Sequence, residues 1–284
     1  MSAPQGRAVR GRRLDWPFTG TFWMVGGVYL ALVLAMVAAD IAFTSPSQVA
    51  RALATPEIRY AIKLSLVSCT ISALLSLVVA VPLGYLLSRQ EFRGKSLVDT
   101  VLDIPIVLPP LVIGLSLLIL FQVKIGGQSI EEWFRLRLHF PVTYAIPSVI
   151  LAQFAVAAAF AVRTMRVSFE QINPRNEQVA LTLGCTRAQA FWRVVLPEAR
   201  RGVLAAGTLA WARSLGEFGP ILIFAGATRM KTEVLSTTVF LELSVGNIEA
   251  AVAVSLLMIG LALLVLILVR LLGTDIVFGK ALRP

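Results

Sequence analysis

Residues 177–197 read EQVALTLGCTRAQAFWRVVLP, a polar, arginine-bearing insert between stretches that are nearly pure hydrocarbon. The whole chain is 57% hydrophobic and 15% charged by residue type, with a mean hydropathy of +0.80. That is more apolar side chain than a water-facing surface can hide. The surroundings of the insert therefore belong in a membrane, and the insert itself stays in water.

A helix needs about 20 apolar residues to cross roughly 30 Å of hydrocarbon. Six stretches qualify, near 21–43, 61–87, 98–121, 142–162, 203–226 and 250–269. They are continuous rather than alternating, which excludes a barrel. The expectation is an all-α membrane protein: one six-helix domain over 18–272 between an N-terminal tail, 1–17, and a short tail, 273–284. The first run follows Arg7, Arg10, Arg12 and Arg13. It is longer than the core of a secretory signal, about 7–15 residues, and reads as a retained helix.

About two-thirds of the 26 Lys and Arg fall in the N-terminal tail, in 89–97, in 163–201 and at the C-terminal end. The positive-inside bias then puts both termini and the insert in the cytoplasm. The net charge of +10 follows from this asymmetry and calls for no nucleic-acid partner. Asp40, Lys63, Asp99 and Arg163 lie near span ends, where their charges reach the interface. Cys69 and Cys185 occupy different environments and imply no disulfide, and the lone His139 offers no metal cluster. Residues 125–140 mix charge with aromatics, as an interfacial helix or a solvated loop would.

Two spans carry breaks. In DIPIVLPP at 103–110, Pro105, Pro109 and Pro110 remove backbone donors and free the carbonyls of Val101, Pro105 and Ile106. A kinked helix at membrane depth needs partners from protein or a wet cavity, so this span is expected to wall a pathway or to pack as a bent helix. In WARSLGEFGPI at 211–221, Arg213 and Glu217 stand four residues apart around Ser214 and can pair. Either charge costs about 2.5–3.5 kcal/mol near the bilayer centre, which directs both to the interior. Gly216, Gly219 and Pro220 allow a bend beside them. The pair suits a functional role at a hinge or a structural one equally.

In the insert, Asn173 and Pro174 open a helix expected over 174–183, with Glu177 in the favourable first turn. Val179, Ala180 and Leu183 form one apolar face, and Gly184 ends the helix. Thr186 and Gln189 resemble a capping box opening a second helix, on which Ala188, Phe191, Trp192 and Val195 share a face. Pro197 disfavours helix at Leu196 and is expected to bend the chain into the fifth span. Local physics leaves two uses open for this pair of helices: resting on lipid headgroups, or docking a protein.

The spacing Glu177-x-x-Ala180-x-x-x-Gly184, then nine residues, then Val194-x-Leu196-Pro197 resembles the cytoplasmic EAA loop of ABC importer permeases. Within that family, DIPIVLPP and ARSLGEFG at 212–219 resemble the permeases for molybdate, tungstate or sulfate. The resemblance covers the second to sixth spans. It implies the type I importer architecture, with residues 173–197 as a coupling-helix pair, in a prokaryotic inner membrane. It also implies partners: a second permease copy, two ATP-binding cassette subunits, an extracytoplasmic oxyanion-binding protein and membrane lipid.

ATP and Mg would then be bound by the partner ATPase, with no cofactor in this chain. The fragment Gly94-Lys95-Ser96 imitates the end of a Walker A loop, but Arg89 stands where its first glycine is required. The chain is thus expected to be a transport subunit without catalytic residues. Coupling is expected from Glu177, Ala180, Gly184, Phe191, Trp192, Leu196 and Pro197. The pathway is expected from Pro105, Pro109, Pro110, Arg213, Ser214, Gly216, Glu217 and Gly219. Molybdate or tungstate is the first expectation for the cargo and sulfate the second. An ion-driven secondary transporter would also carry broken helices, but it has no need for the docking pair.

Overall fold

The computed structural model describes residues 16–278, with side chains from Thr19 to Ile267 and at Val269. The chain divides into two compact units, Met1–Ser45 and Pro46–Pro284. In the first, α1 (Trp16–Phe43) is apolar over most of its length, with Asp40 as its one charged residue near the C-terminal end. The second begins with a short helix, α2 (Pro46–Ala54), between the first two apolar stretches. The expected tails fall largely outside the described residues, although Trp16 and Pro17 already belong to α1 and the last helix continues to Phe278.

The core of the second unit is built on α3 (Pro56–Arg89), α7 (Ile146–Glu170) and α11 (Arg200–Leu215), which pack most extensively on one another. The buried face of α3 runs through Ala61, Ser65, Ser68, Ser72, Ser76 and Ala80. Small residues let helix backbones approach where hydrocarbon offers no hydrophobic drive to association. Two of the hydroxyls bond across helices, Ser65 Oγ accepting from the Leu235 N–H at 2.9 Å and Ser72 Oγ donating to the Ile150 carbonyl at 3.0 Å, while Ser68 and Ser76 donate back within α3.

The six expected spans are matched in part. Among the described residues four helices are long and apolar enough to cross a membrane, Thr19–Phe43, Pro56–Arg89, Ile146–Glu170 and Ile248–Ile267. A fifth is possible if α4 (Lys95–Val107) and α5 (Pro110–Gln122), bent by 112°, count as one broken span. The sixth candidate, 203–226, is divided between α11 and the six-residue α12 (Gly219–Phe224). Its break separates two short segments, and neither alone meets the length and apolarity of a span.

The break in the third span sits at Leu108 and Pro109, both extended at ψ 139 and 134. Each precedes a proline, and the residue before a proline is driven out of the helical region. Two such residues in a row end the helix. Pro105, expected to share in the kink, is instead accommodated inside α4.

A two-residue antiparallel ribbon, β1 (Lys124–Ile125) with β2 (Gln128–Ser129), leads into α6 (Ile130–Leu138). Part of 125–140 is thus helical rather than plain loop, opened by a capping box between Ser129 and Glu132. On the far side of α12, α13 (Leu235–Ser244) and α14 (Ile248–Phe278) pack on each other.

Candidate functional site

The insert folds as two helices, as its spacing indicates. In α8 (Pro174–Thr182) the Asn173 side chain accepts from the Arg175 N–H at 3.0 Å, and Gly184 takes a left-handed φ of 88. A side chain would be strained there, so the glycine sets the angle between the helices. The next helix, α9 (Arg187–Ala190), has the anticipated box: Thr186 Oγ1 accepts from the Gln189 N–H, and Gln189 Oε1 from the Thr186 N–H.

Beyond it the chain departs from expectation. Residues Phe191–Val195 form a π-helical turn, closed by the Leu196 N–H on the Phe191 carbonyl. Leu196 stays helical (φ −66, ψ −42), and with Pro197 it begins α10 (Leu196–Glu198). The reading that Pro197 would exclude helix at Leu196 is corrected: the wider turn gives the proline ring room against the carbonyl four residues earlier, where an α-helix would clash. The turn also changes which residues share a face. Ala190 and Val195 are buried, whereas Ala188 and Trp192 point outward.

The coupling candidates therefore separate into two sets. Ala180 is buried, Glu177 is largely covered, and Phe191 packs edge-on against Tyr85 at 4.8 Å between ring centroids. Leu183 is 80% exposed and Trp192 65%, and Val179 and Leu181 are exposed as well. Apolar side chains left open in this way are uncommon on a polar insert. Leu183 is the most exposed of them, although the motif spacing gave it no part. An open cleft of about 950 Å³ lies among Tyr85, Arg89, Glu177, Leu181, Arg187 and Trp192, so the exposed Trp192 and Leu181 border it and Val179 and Leu183 do not.

The second candidate region is where the two broken spans meet. A Cβ placed on Gly114 would lie 2.7 Å from the Pro220 Cα, and one on Gly219 would lie 3.0 Å from the Leu111 N. Backbone thus packs on backbone, and Pro110 and Gly219 are brought together as neighbours. Pro105 is not part of this contact.

At the second break, Gly216 and Phe218 leave the helix and carbonyls lose their partners. Three donors replace them. Gln153 Nε2 reaches the Ser214 carbonyl at 3.3 Å, the Glu217 N–H reaches the same oxygen at 3.2 Å, and Ser236 Oγ donates to the Glu217 carbonyl at 2.7 Å. Sequence reading missed Gln153, which also bridges to Cys69 and Ser72 and so ties α3, α7 and α11 together.

Arg213 and Glu217 form the anticipated pair, 2.8 Å apart, but unevenly: the glutamate side chain is 2% exposed and the arginine 30%. The Arg213 guanidinium also lies 5.7 Å from the centre of the Phe160 ring, a cation–π contact. Near the C-terminal end of α7, Arg166 pairs with Asp99 at 2.6 Å and Arg163 with Asp103 at 3.5 Å. These two pairs join α4, which has no buried residue, to α7. Asp99 and Arg163 are thus engaged with each other's helix as well as lying near span ends.

This arrangement has known counterparts. The chain is 33% identical over 276 residues to the sulfate transport system permease protein CysT of Escherichia coli, covering 96% of this chain and 98% of that protein. It is also 33% identical to a probable molybdenum ABC transporter permease protein of Haloferax volcanii, covering 93% and 94%. The molybdate/tungstate transport system permease protein WtpB of Pyrococcus abyssi is 34% identical, with 70% of this chain and 73% of that protein covered. In fold, the chain is similar to a subunit of a bacterial alginate ABC transporter, solved in complex with a periplasmic protein bound to an alginate pentasaccharide. The TM-score is 0.65 at 16% identity, covering 90% and 95%. Residues 80–277 match the family described as binding-protein-dependent transport system inner membrane component, and the chain belongs to that family.

Proposed function

We propose that this chain is the membrane-spanning permease subunit of an ATP-driven importer for a tetrahedral oxyanion, molybdate or tungstate first and sulfate as the alternative. The observation that carries the reading is near full-length similarity, at equal identity, to a sulfate permease and a molybdenum permease. What those cargoes share is a compact tetrahedral anion. Choice among them falls to the protein that delivers the anion, since a carrier fed in this way needs little affinity of its own.

In the working complex two copies of the chain stand together, each with both termini cytoplasmic and the broken helices completing six crossings. Each copy seats α8 and α9 on an ATP-binding subunit, through Leu183, Trp192, Val179 and Leu181. Closure of the ATP-binding subunits pushes this rigid pair, and the junction at Pro109, Pro110, Gly216 and Gly219 bends so that the pathway opens alternately to the two sides. The exposed apolar set on the insert supports the docking, and the paired breaks support the bending. Arg213, partly exposed and stacked on Phe160, is placed to meet an anion.

The test is uptake of radiolabelled molybdate, tungstate and sulfate into proteoliposomes holding the permease, its ATP-binding subunit and the binding protein. The reading expects uptake that requires ATP and favours one of these anions. Uptake driven by an ion gradient without ATP would overturn it.

A further inference from the structure

We propose that Tyr85, Arg89 and Glu177 form an internal latch that makes α8 move as one body with the C-terminal ends of α3 and α7. Glu177 is then a positioning residue within the permease and not a contact to the ATP-binding subunit. The proposal deepens the docking reading above and rests on it.

Both oxygens of the Glu177 carboxylate are directed into the chain itself. One accepts from the Tyr85 hydroxyl, and the other lies 3.6 Å from Arg89 Nε. The latter distance is long for a hydrogen bond but within reach of an ion pair. The Arg89 guanidinium also donates to the Ile172 carbonyl at 2.9 Å, where the chain leaves α7. The side chains of Arg89 and Glu177 are only 12% and 14% exposed, so water screens the pair far less than it would a surface one. A glutamate so placed has little left to offer another protein.

The tyrosine is held as well. Its ring stands edge-on to Phe169 at 5.7 Å and to Phe191 at 4.8 Å between centroids. The first belongs to α7 and the second to the π-helical turn after α9. The three-residue contact thus gathers α3, α7 and both docking helices at one point. Such a joint is needed because α8 has nine residues, below the length of about 12–15 at which a helix is even marginally stable alone. Without a tie, a push on Leu183 or Trp192 would reorient a loose element instead of displacing the membrane helices.

A double-mutant cycle in the reconstituted complex tests this, with Tyr85→Phe, which keeps the ring packing, and Glu177→Gln, which keeps the shape. The readouts are co-purification of the ATP-binding subunit and ATP hydrolysed per oxyanion imported. Each single variant should keep the ATP-binding subunit and raise the ATP cost per anion by roughly fivefold. The double variant should be no worse than the worse single, the signature of one shared interaction. Effects that multiply overturn the latch. So does loss of the ATP-binding subunit in Glu177→Gln alone, with Tyr85→Phe behaving as wild type, since that assigns Glu177 to the interface.

A second readout needs no transport: amide exchange of the isolated permease in detergent. Amides of 175–182 should exchange about tenfold faster in either variant while those of 64–80 stay unchanged. Unchanged exchange at 175–182 overturns the proposal. Should the wild-type complex import none of the oxyanions, the transport reading fails, and this readout still decides the latch.

Discussion

At the scale of single residues, the uneven Arg213–Glu217 pair decides most. The four-residue spacing was readable in the sequence, but the asymmetry was not, because exposure depends on what other helices bring. Removing Arg213 alone leaves a covered carboxylate without its partner, which costs about 3–5 kcal/mol. Arg213→Gln is therefore expected to lower the yield of folded permease, and Arg213→Gln with Glu217→Gln to recover it in a detergent thermal melt. If uptake stays low in the recovered double variant, Arg213 handles the anion; full uptake there would make the pair purely structural. A second residue-scale prediction concerns Glu233, which is buried beside Arg229. Burial pushes its carboxyl above the usual range, against the opposing pull of Thr238 and Arg229. The folded state thus holds this proton where the unfolded state has released it, and stability falls as pH rises from the ordinary carboxylate value through the raised one. Glu233→Gln should flatten that part of the melting profile, and an unchanged profile would contradict the assignment. Gln153 carried one signal, an amide in the middle of an apolar stretch, but its acceptor at Ser214 is 61 residues away and no local pattern announces which partner it takes.

At the scale of elements, the ends of helices were more legible than their course. The caps at Asn173 and Thr186 and the stop at Gly184 are local chemistry, and they lie where the spacing put them. The π-helical turn at Phe191–Val195 is not local in this sense, and it reassigned Trp192 from an inner face to an outer one. The third span's break was expected, but it belongs to the two pre-proline residues Leu108 and Pro109 and not to Pro105. Where the breaks meet, Gly114 touches backbone, so no rotamer change can relieve an added methyl group. Gly114→Ala should cost about 1–3 kcal/mol as overpacking, read as a lower melting temperature. Gly260→Ala, on a helix with nothing within 4 Å of the new Cβ, should be neutral or slightly stabilising. Equal behaviour of the two would remove the close approach from the account.

At the scale of the whole molecule, composition was enough to place the chain in a membrane, since hydrocarbon content is a bulk property. Which crossings are single helices and which are broken was less readable. Counting apolar residues joins α11 to α12 across a break, and it passes over α2 and α13, which are short and lie between the apolar stretches. The proposed function draws on two regions, a docking pair and a bendable junction, linked through the α3, α7 and α11 core. The central claim is that the exposed face of α8 and α9 transmits work from an ATP-binding subunit. Its most direct test is ATP-driven oxyanion uptake in proteoliposomes by wild type and Leu183→Asp, with co-purification of the ATP-binding subunit measured on the same preparations. A charge at the centre of a docking surface should cost about 2 kcal/mol or more, roughly a thirtyfold loss of association, with a parallel loss of uptake. Full association and uptake by Leu183→Asp would contradict the account.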